Sequence, residues 1–137
     1  MLFAADVERD GLSRMRRASS HGPIEILKVP HHGAMSSLNR DWLTSLHPKY
    51  AVFSAGHHNS YRHPAAAVLD AYGSEGSMVL RTDRDGGVWF TGGVADAPFH
   101  VHRARDLVWQ PTNRASCLWA CEQANWDRIW KQWRDRY

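Results

Sequence analysis

Five of the nine histidines, His31, His32, His57, His58 and His63, fall inside one stretch of 33 positions. Imidazoles titrate near neutral pH and ligate transition metals, so such a density points to proton transfer or metal binding. Asp6 closes the opening apolar run Leu2-Phe3-Ala4-Ala5, and His31-His32 follow the apolar run from Ile24 to Val29. A carboxylate and a neutral imidazole projecting from neighbouring strand ends form the donor set that zinc or manganese takes. Taken alone, a strand-end Asp is more often a helix N-cap, and a His pair before Gly is more often a turn holding one core imidazole. His63 directly precedes Pro64, which can open a helix. Helix N-terminal amides and an imidazolium could there hold a phosphate together, with Arg62 adding charge. The plainer alternative is that Asn59 and Tyr61 shape a turn and His63 caps the helix.

These residues need strands and helices to carry them. Leu2 to Ala5 reads as a strand, and Glu8 to Arg17 as a short amphipathic helix with Leu12 and Met15 among its charges. A second strand runs from Ile24 to Val29. A helix capped by Ser37 or Asn39 follows, with Trp42, Leu43 and Leu46 on one apolar face and Pro48 at its end. Tyr50 to Ser54 is a buried-type strand. Pro64 fits the first turn of a helix carrying Val68, Leu69 and Tyr72 to a stop at Gly73. Ser77 to Arg81 and Gly87 to Phe90 read as strands joined by a hairpin turn, with Asp85-Gly86 supplying the turn chemistry. This alternation predicts an α/β fold with helices covering a sheet, and its site belongs at the loops after the strand ends.

The Gly-, Ala- and Pro-containing segment from Thr91 to Pro98 marks a boundary between residues 1–92 and a C-terminal extension, 93–137. Phe99 to Trp109 is ambiguous between strand and coil. From about Ser116 the pattern turns helical: Trp126, Ile129, Trp130, Trp133 and Tyr137 form one apolar stripe. That helix packs on the domain or, with Lys131, Arg134 and Arg136, docks on a partner or a membrane surface. Cys117 and Cys121 read as small buried residues of it, and two cysteines without a second pair exclude a zinc ribbon.

At 137 residues, 43% hydrophobic and 23% charged, the composition fits one folded domain and excludes disordered and fibrous classes. No apolar run approaches the roughly 18 residues of a membrane span. The net charge of +3 favours an anionic partner without naming one.

Four motifs occur in order: Phe3-Ala4-Ala5-Asp6-Val7-Glu8, Leu27-Lys28-Val29-Pro30-His31-His32-Gly33-Ala34-Met35-Ser36-Ser37, Ser54-Ala55-Gly56-His57-His58-Asn59-Ser60-Tyr61-Arg62-His63-Pro64, and Arg81-Thr82-Asp83-Arg84-Asp85-Gly86. In that order and spacing they resemble the C-terminal half of the metallo-β-lactamase-fold domain of ComEC-type competence proteins. The resemblance covers residues 2 to 90 and leaves the tail uncovered. It implies a partial metallo-β-lactamase fold, one sheet half with covering helices, followed by the Trp-rich helix. It implies that Asp6 matches a carboxylate bridging two divalent ions, zinc or manganese, and that His31 or His32 matches the final histidine ligand. His31, directly at the strand end, is the favoured ligand; His32 then faces substrate or positions a water or phosphate. His63 becomes a catalytic, substrate-contacting residue, while His57 and His58, at positions the family leaves variable, are solvated loop residues.

The implied function is that of a phosphodiesterase or nuclease fragment whose complete domain processes DNA during uptake. The parent would be embedded in the bacterial inner membrane with this domain on the periplasmic or extracellular side. The superfamily's main metal motif, His-x-His-x-Asp-His, is not in these residues, and the resemblance places it upstream of Met1 in a missing N-terminal half. The fragment's own site is then incomplete, and the fragment inactive. Three residues depart from the family pattern: Ala5 and Arg62 stand where it has Gly, and Ala34 where it has Ser. Two other readings follow, a hydrolase of the same fold acting on a small ester or phosphodiester, and a metal-free remnant with a binding or structural role.

Overall fold

A computed structural model describes residues 1–18, 22–93 and 97–107. Along them run β1 (Leu2–Phe3), α1 (Arg9–Ala18), β2 (Ile26–Lys28), α2 (Arg40–Leu46), β3 (Tyr50–Phe53), α3 (Ala66–Ser74), β4 (Met78–Arg81), α4 (Thr82–Asp85), β5 (Val88–Gly92) and β6 (Phe99–Arg103). The first four strands form one sheet in the order β1-β2-β3-β4, every pair parallel, while β5 and β6 form a separate antiparallel pair. The molecule is therefore α/β with a parallel sheet, as the alternation of elements predicts.

Strand alternation sorts the core into two layers. Leu27, Ala51 and Phe53 turn to one face, where they meet Leu12 of α1, Trp42, Leu43 and Leu46 of α2, and Val68, Ala71 and Tyr72 of α3. Ile26, Tyr50 and Leu80 turn to the other, against Val88, Phe90, Phe99 and Val101 of the β5-β6 pair. All three crossover helices lie on one face because sequential parallel strands with crossovers of one hand leave them no other place. Each fully buried Leu or Phe contributes about 1.5–3 kcal/mol by leaving water.

Asn39 is the cap of α2: its side-chain oxygen accepts the Trp42 amide at 2.9 Å. Ser37, the other capping candidate, is buried and donates instead to the Ala34 and Pro30 carbonyls. The expected hairpin turn between Arg81 and Gly87 does not form. β4 pairs with β3 in the parallel sheet, and β5 pairs with β6. The cause is Asp85, fully buried, which accepts the Arg81 amide at 2.9 Å, Arg84 Nε at 2.9 Å and Arg105 Nη1 at 2.9 Å. Those bonds wind residues 82–85 into a helical turn. Burial works against the ionised carboxylate, but the bonds from Arg84, the Arg81 amide and Arg105 outweigh it and hold Asp85 well below the usual carboxylate range.

Two further expectations shift. α3 begins at Ala66 with Ala65 as its N-cap, so Pro64 lies before the helix and not in its first turn. The helix also runs through Gly73 to Ser74, since Gly73 keeps helical geometry and the left-handed glycine is Gly76. The ambiguous stretch after residue 98 is a strand at Phe99–Arg103 and pairs across the Gly-rich segment with β5. The Trp-rich stripe, Cys117 and Cys121 lie outside the described residues.

Candidate functional site

Three loops leave the C-terminal ends of the adjacent parallel strands β1, β2 and β3, the edge at which open α/β sheets bind ligands. They carry Asp6 and Glu8, then His31 and His32, then Ser54 to His63. The His31 amide donates to the Ala5 carbonyl at 2.9 Å and the Ala65 amide to the Gly33 carbonyl at 3.0 Å, which fastens the middle loop to its neighbours.

The His31-His32-Gly33 turn is left-handed throughout, with φ of +45°, +55° and +83°. For the two histidines this is costly, about 1–2 kcal/mol each, whereas Gly33 accepts it freely. Gly33 also has no room for more: a Cβ there would come within 2.7 Å of both Phe53 and Pro64. The turn sends the two imidazoles to different neighbours. His32 Nε2 lies 3.7 Å from an Asp6 carboxylate oxygen, and its Nδ1 lies 2.5 Å from the Ser54 carbonyl. A carbonyl can only accept, so Nδ1 carries a proton, and Nε2 is the ring nitrogen that faces Asp6. His31 points elsewhere: its Nδ1 is buried 3.5 Å from Glu8 Oε1 without a hydrogen bond, and its ring meets that of His63 edge to face at 6.1 Å. Glu8 also accepts from Ser36 Oγ at 3.0 Å.

His63 lies in a loop tied by Asn59, whose side chain accepts the His63 amide at 2.8 Å and donates to the His63 carbonyl at 2.6 Å and the Gly56 carbonyl at 2.9 Å. Asn59 therefore shapes the loop. Tyr61 stacks on His63 at 5.9 Å and 17° between planes. His32, Ser54, Asn59, Tyr61 and His63 line one open cleft of about 450 Å³. Of the amides expected beside His63, that of Ala65, the N-cap of α3, is engaged by the Gly33 carbonyl. His57 and His58 are exposed.

The structure thus pairs Asp6 with His32 and His31 with Glu8, and sets His32 and His63 on one cleft. Among the described residues no three His, Cys, Asp or Glu side chains converge to hold a metal ion. Asp6 and His32 offer two donors of suitable chemistry, a carboxylate oxygen and an imidazole nitrogen fixed by a carbonyl behind it. Sequence reasoning missed the Ser54 carbonyl, which leaves no side-chain signal. It also missed Thr82, whose hydroxyl accepts the Ala55 amide at 2.9 Å and lies 2.8 Å from the Ala55 carbonyl, fixing the start of the third loop. Beside it Arg81 grips Asp83 through two bonds, which holds that carboxyl below its usual range.

Over 89 residues the chain is 33% identical to ComE operon protein 3 of Bacillus subtilis, an alignment covering 65% of this chain and 12% of that protein. The chain is a homologue of a segment of competence proteins. Over a similar stretch it is 35% identical to competence protein ComA of Neisseria gonorrhoeae, covering 63% of this chain and 12% of the other. The chain thus spans about an eighth of the length of these two relatives. No family model matches it, and no solved structure does. Among the described residues no helix is long and apolar enough to cross a membrane.

Proposed function

We propose that the chain is part of a metal-dependent hydrolase domain of the metallo-β-lactamase fold, acting on DNA as a phosphodiesterase or nuclease during competence uptake, within a membrane-embedded parent. The observation that carries the reading is the Asp6–His32 pair, a carboxylate facing an imidazole whose other nitrogen is held by the Ser54 carbonyl. That backing fixes the tautomer a metal ligand needs. Asp6 and His32 would hold one side of a zinc or manganese site completed by residues outside this chain, while His31, turned to Glu8 and His63, would sit beside it. The bound cations would supply an ionised water near neutral pH and charge stabilisation at phosphorus. His63, on the same cleft as His32, would donate a proton or hydrogen bond to a phosphate oxygen.

The test uses a protein extended upstream, with metal content measured after exhaustive dialysis and cleavage followed on a labelled DNA strand. Asp6→Ala and His32→Ala should each lose metal and cleavage, while His31→Ala should keep most of its metal. Metal retained in both Asp6→Ala and His32→Ala would overturn the site. Metal bound without cleavage of any DNA, but with hydrolysis of a small phosphodiester, would move the substrate from DNA to the small molecule.

A further inference from the structure

Tyr61 is a large aromatic side chain left 80% exposed at the wall of the cleft that His32 and His63 share. An exposed ring of this size is ordinarily a cost, because it keeps apolar surface in water. Here the ring has one aromatic neighbour: it lies nearly parallel to and offset from His63, 17° between planes with centroids 5.9 Å apart. His63 is itself held, by its edge-to-face contact with His31 and by the Asn59 bonds that fasten its backbone. The Tyr61 ring is therefore open to solvent over most of its surface, beside a neighbour whose backbone is fixed. Such a ring is a platform for another flat π-system, and a nucleobase gains about 1–3 kcal/mol by stacking on one.

We propose that Tyr61 is a base-stacking platform that receives an unpaired nucleobase of single-stranded DNA and so seats the adjoining phosphate in the cleft beside His63 and His32. The proposal rests on the DNA reading above and adds to it a preference for single strands. Bases in a duplex have both faces covered by their neighbours and cannot reach the ring, whereas a single strand can splay one out. Arg62, the next residue and likewise exposed, adds a positive charge that a phosphate backbone attracts. Because every base has a π-face, the platform reads strandedness without reading sequence.

The experiment measures binding to the 137-residue chain by fluorescence anisotropy, so it depends on neither metal nor cleavage. The probes are a labelled oligothymidylate, the same length of duplex, and a strand of equal phosphate count with its bases removed. The chain should prefer the oligothymidylate to both other probes. Tyr61→Ala should weaken oligothymidylate binding by about tenfold and leave the baseless strand unchanged, while Tyr61→Phe should bind like the parent. Equal binding of oligothymidylate and baseless strand, or an unaltered affinity in Tyr61→Ala, would overturn the platform while leaving DNA as partner. Failure of the chain to bind any of the three probes would overturn the platform and the DNA reading together. Tyr61→Ala that loses thermal stability as well is controlled by Tyr61→Leu, which keeps apolar bulk but not the ring and should bind as weakly.

Discussion

Ala5 holds a φ of +45° at the turn between β1 and Asp6, a conformation in which an L side chain crowds the following carbonyl. The penalty is about 1–2 kcal/mol for a residue with a Cβ, and glycine escapes it. Glycine in turn adds about 0.5–1 kcal/mol of unfolded-state freedom that folding must remove. Ala5→Gly should therefore gain about 0.5–1 kcal/mol, since the strain exceeds the entropy. For a domain of this size that raises Tm by about 2–6 °C in a differential scanning fluorimetry ramp. Gly73→Ala provides the control of opposite sense. Gly73 sits inside α3 with open space where its Cβ would be, so the alanine should also raise Tm, by removing the same glycine freedom. The two results test geometry and not composition: one position gains by acquiring glycine, the other by losing it. A lowered or unchanged Tm in Ala5→Gly, with Gly73→Ala behaving as stated, would refute a left-handed residue 5 and with it the placement of Asp6.

Gly33→Ala should cost about 2–4 kcal/mol, the sum of a left-handed penalty and the overlap with Phe53 and Pro64, read as a lowered urea midpoint. Asp85 has a depressed folded-state pKa, so its contribution is complete above the unfolded value near 4 and is lost as pH falls below it. Tm should accordingly hold steady from pH 7 to about 5 and fall below about 4; Asp85→Asn should start lower and show a smaller fall over that acid range. In the upstream-extended protein, His63→Ala should keep its metal and lower cleavage by about 10²-fold, and metal loss in that variant would make His63 a ligand.

The strands and helices of the α/β alternation were legible in the sequence because the apolar pattern marks them: Trp42, Leu43 and Leu46 share one face of α2, and Tyr50 to Phe53 is the continuous apolar run of a buried strand. The turn from Arg81 to Gly86 was not. Asp85-Gly86 carries hairpin chemistry locally, and only the distant Arg105, twenty residues on, completes the carboxylate cage that winds it into α4. α3 starts only at Ala66 because Ala65 is extended, with ψ of 140°, while its amide bonds to Gly33 across the fold. Local residue types identify which groups gather at the strand ends, but long-range hydrogen bonds decide how they are turned.

The two adjacent histidines make that limit concrete. In an extended strand, neighbouring side chains point to opposite faces, so being directly at the strand end favours His31 as the group aimed at Asp6. The left-handed run at His31, His32 and Gly33 breaks that rule. Strain of this kind persists only where the surroundings over-determine it, and they do so here: Ala5 accepts the His31 amide, Gly33 is wedged by Phe53 and Pro64, and Ser54 receives the His32 ring. Each of those partners lies on another loop or strand. The rotation brings His32 to Asp6 and sends His31 to Glu8 and His63. Gly33 permits this turn sterically, yet the choice between the two imidazoles is made by φ at non-glycine residues, which no pattern of residue types encodes. Glycine at position 5 removes the strain at the same φ and keeps the carbonyl that anchors His31, so Ala5→Gly should raise Tm while leaving the metal content of the upstream-extended protein unchanged.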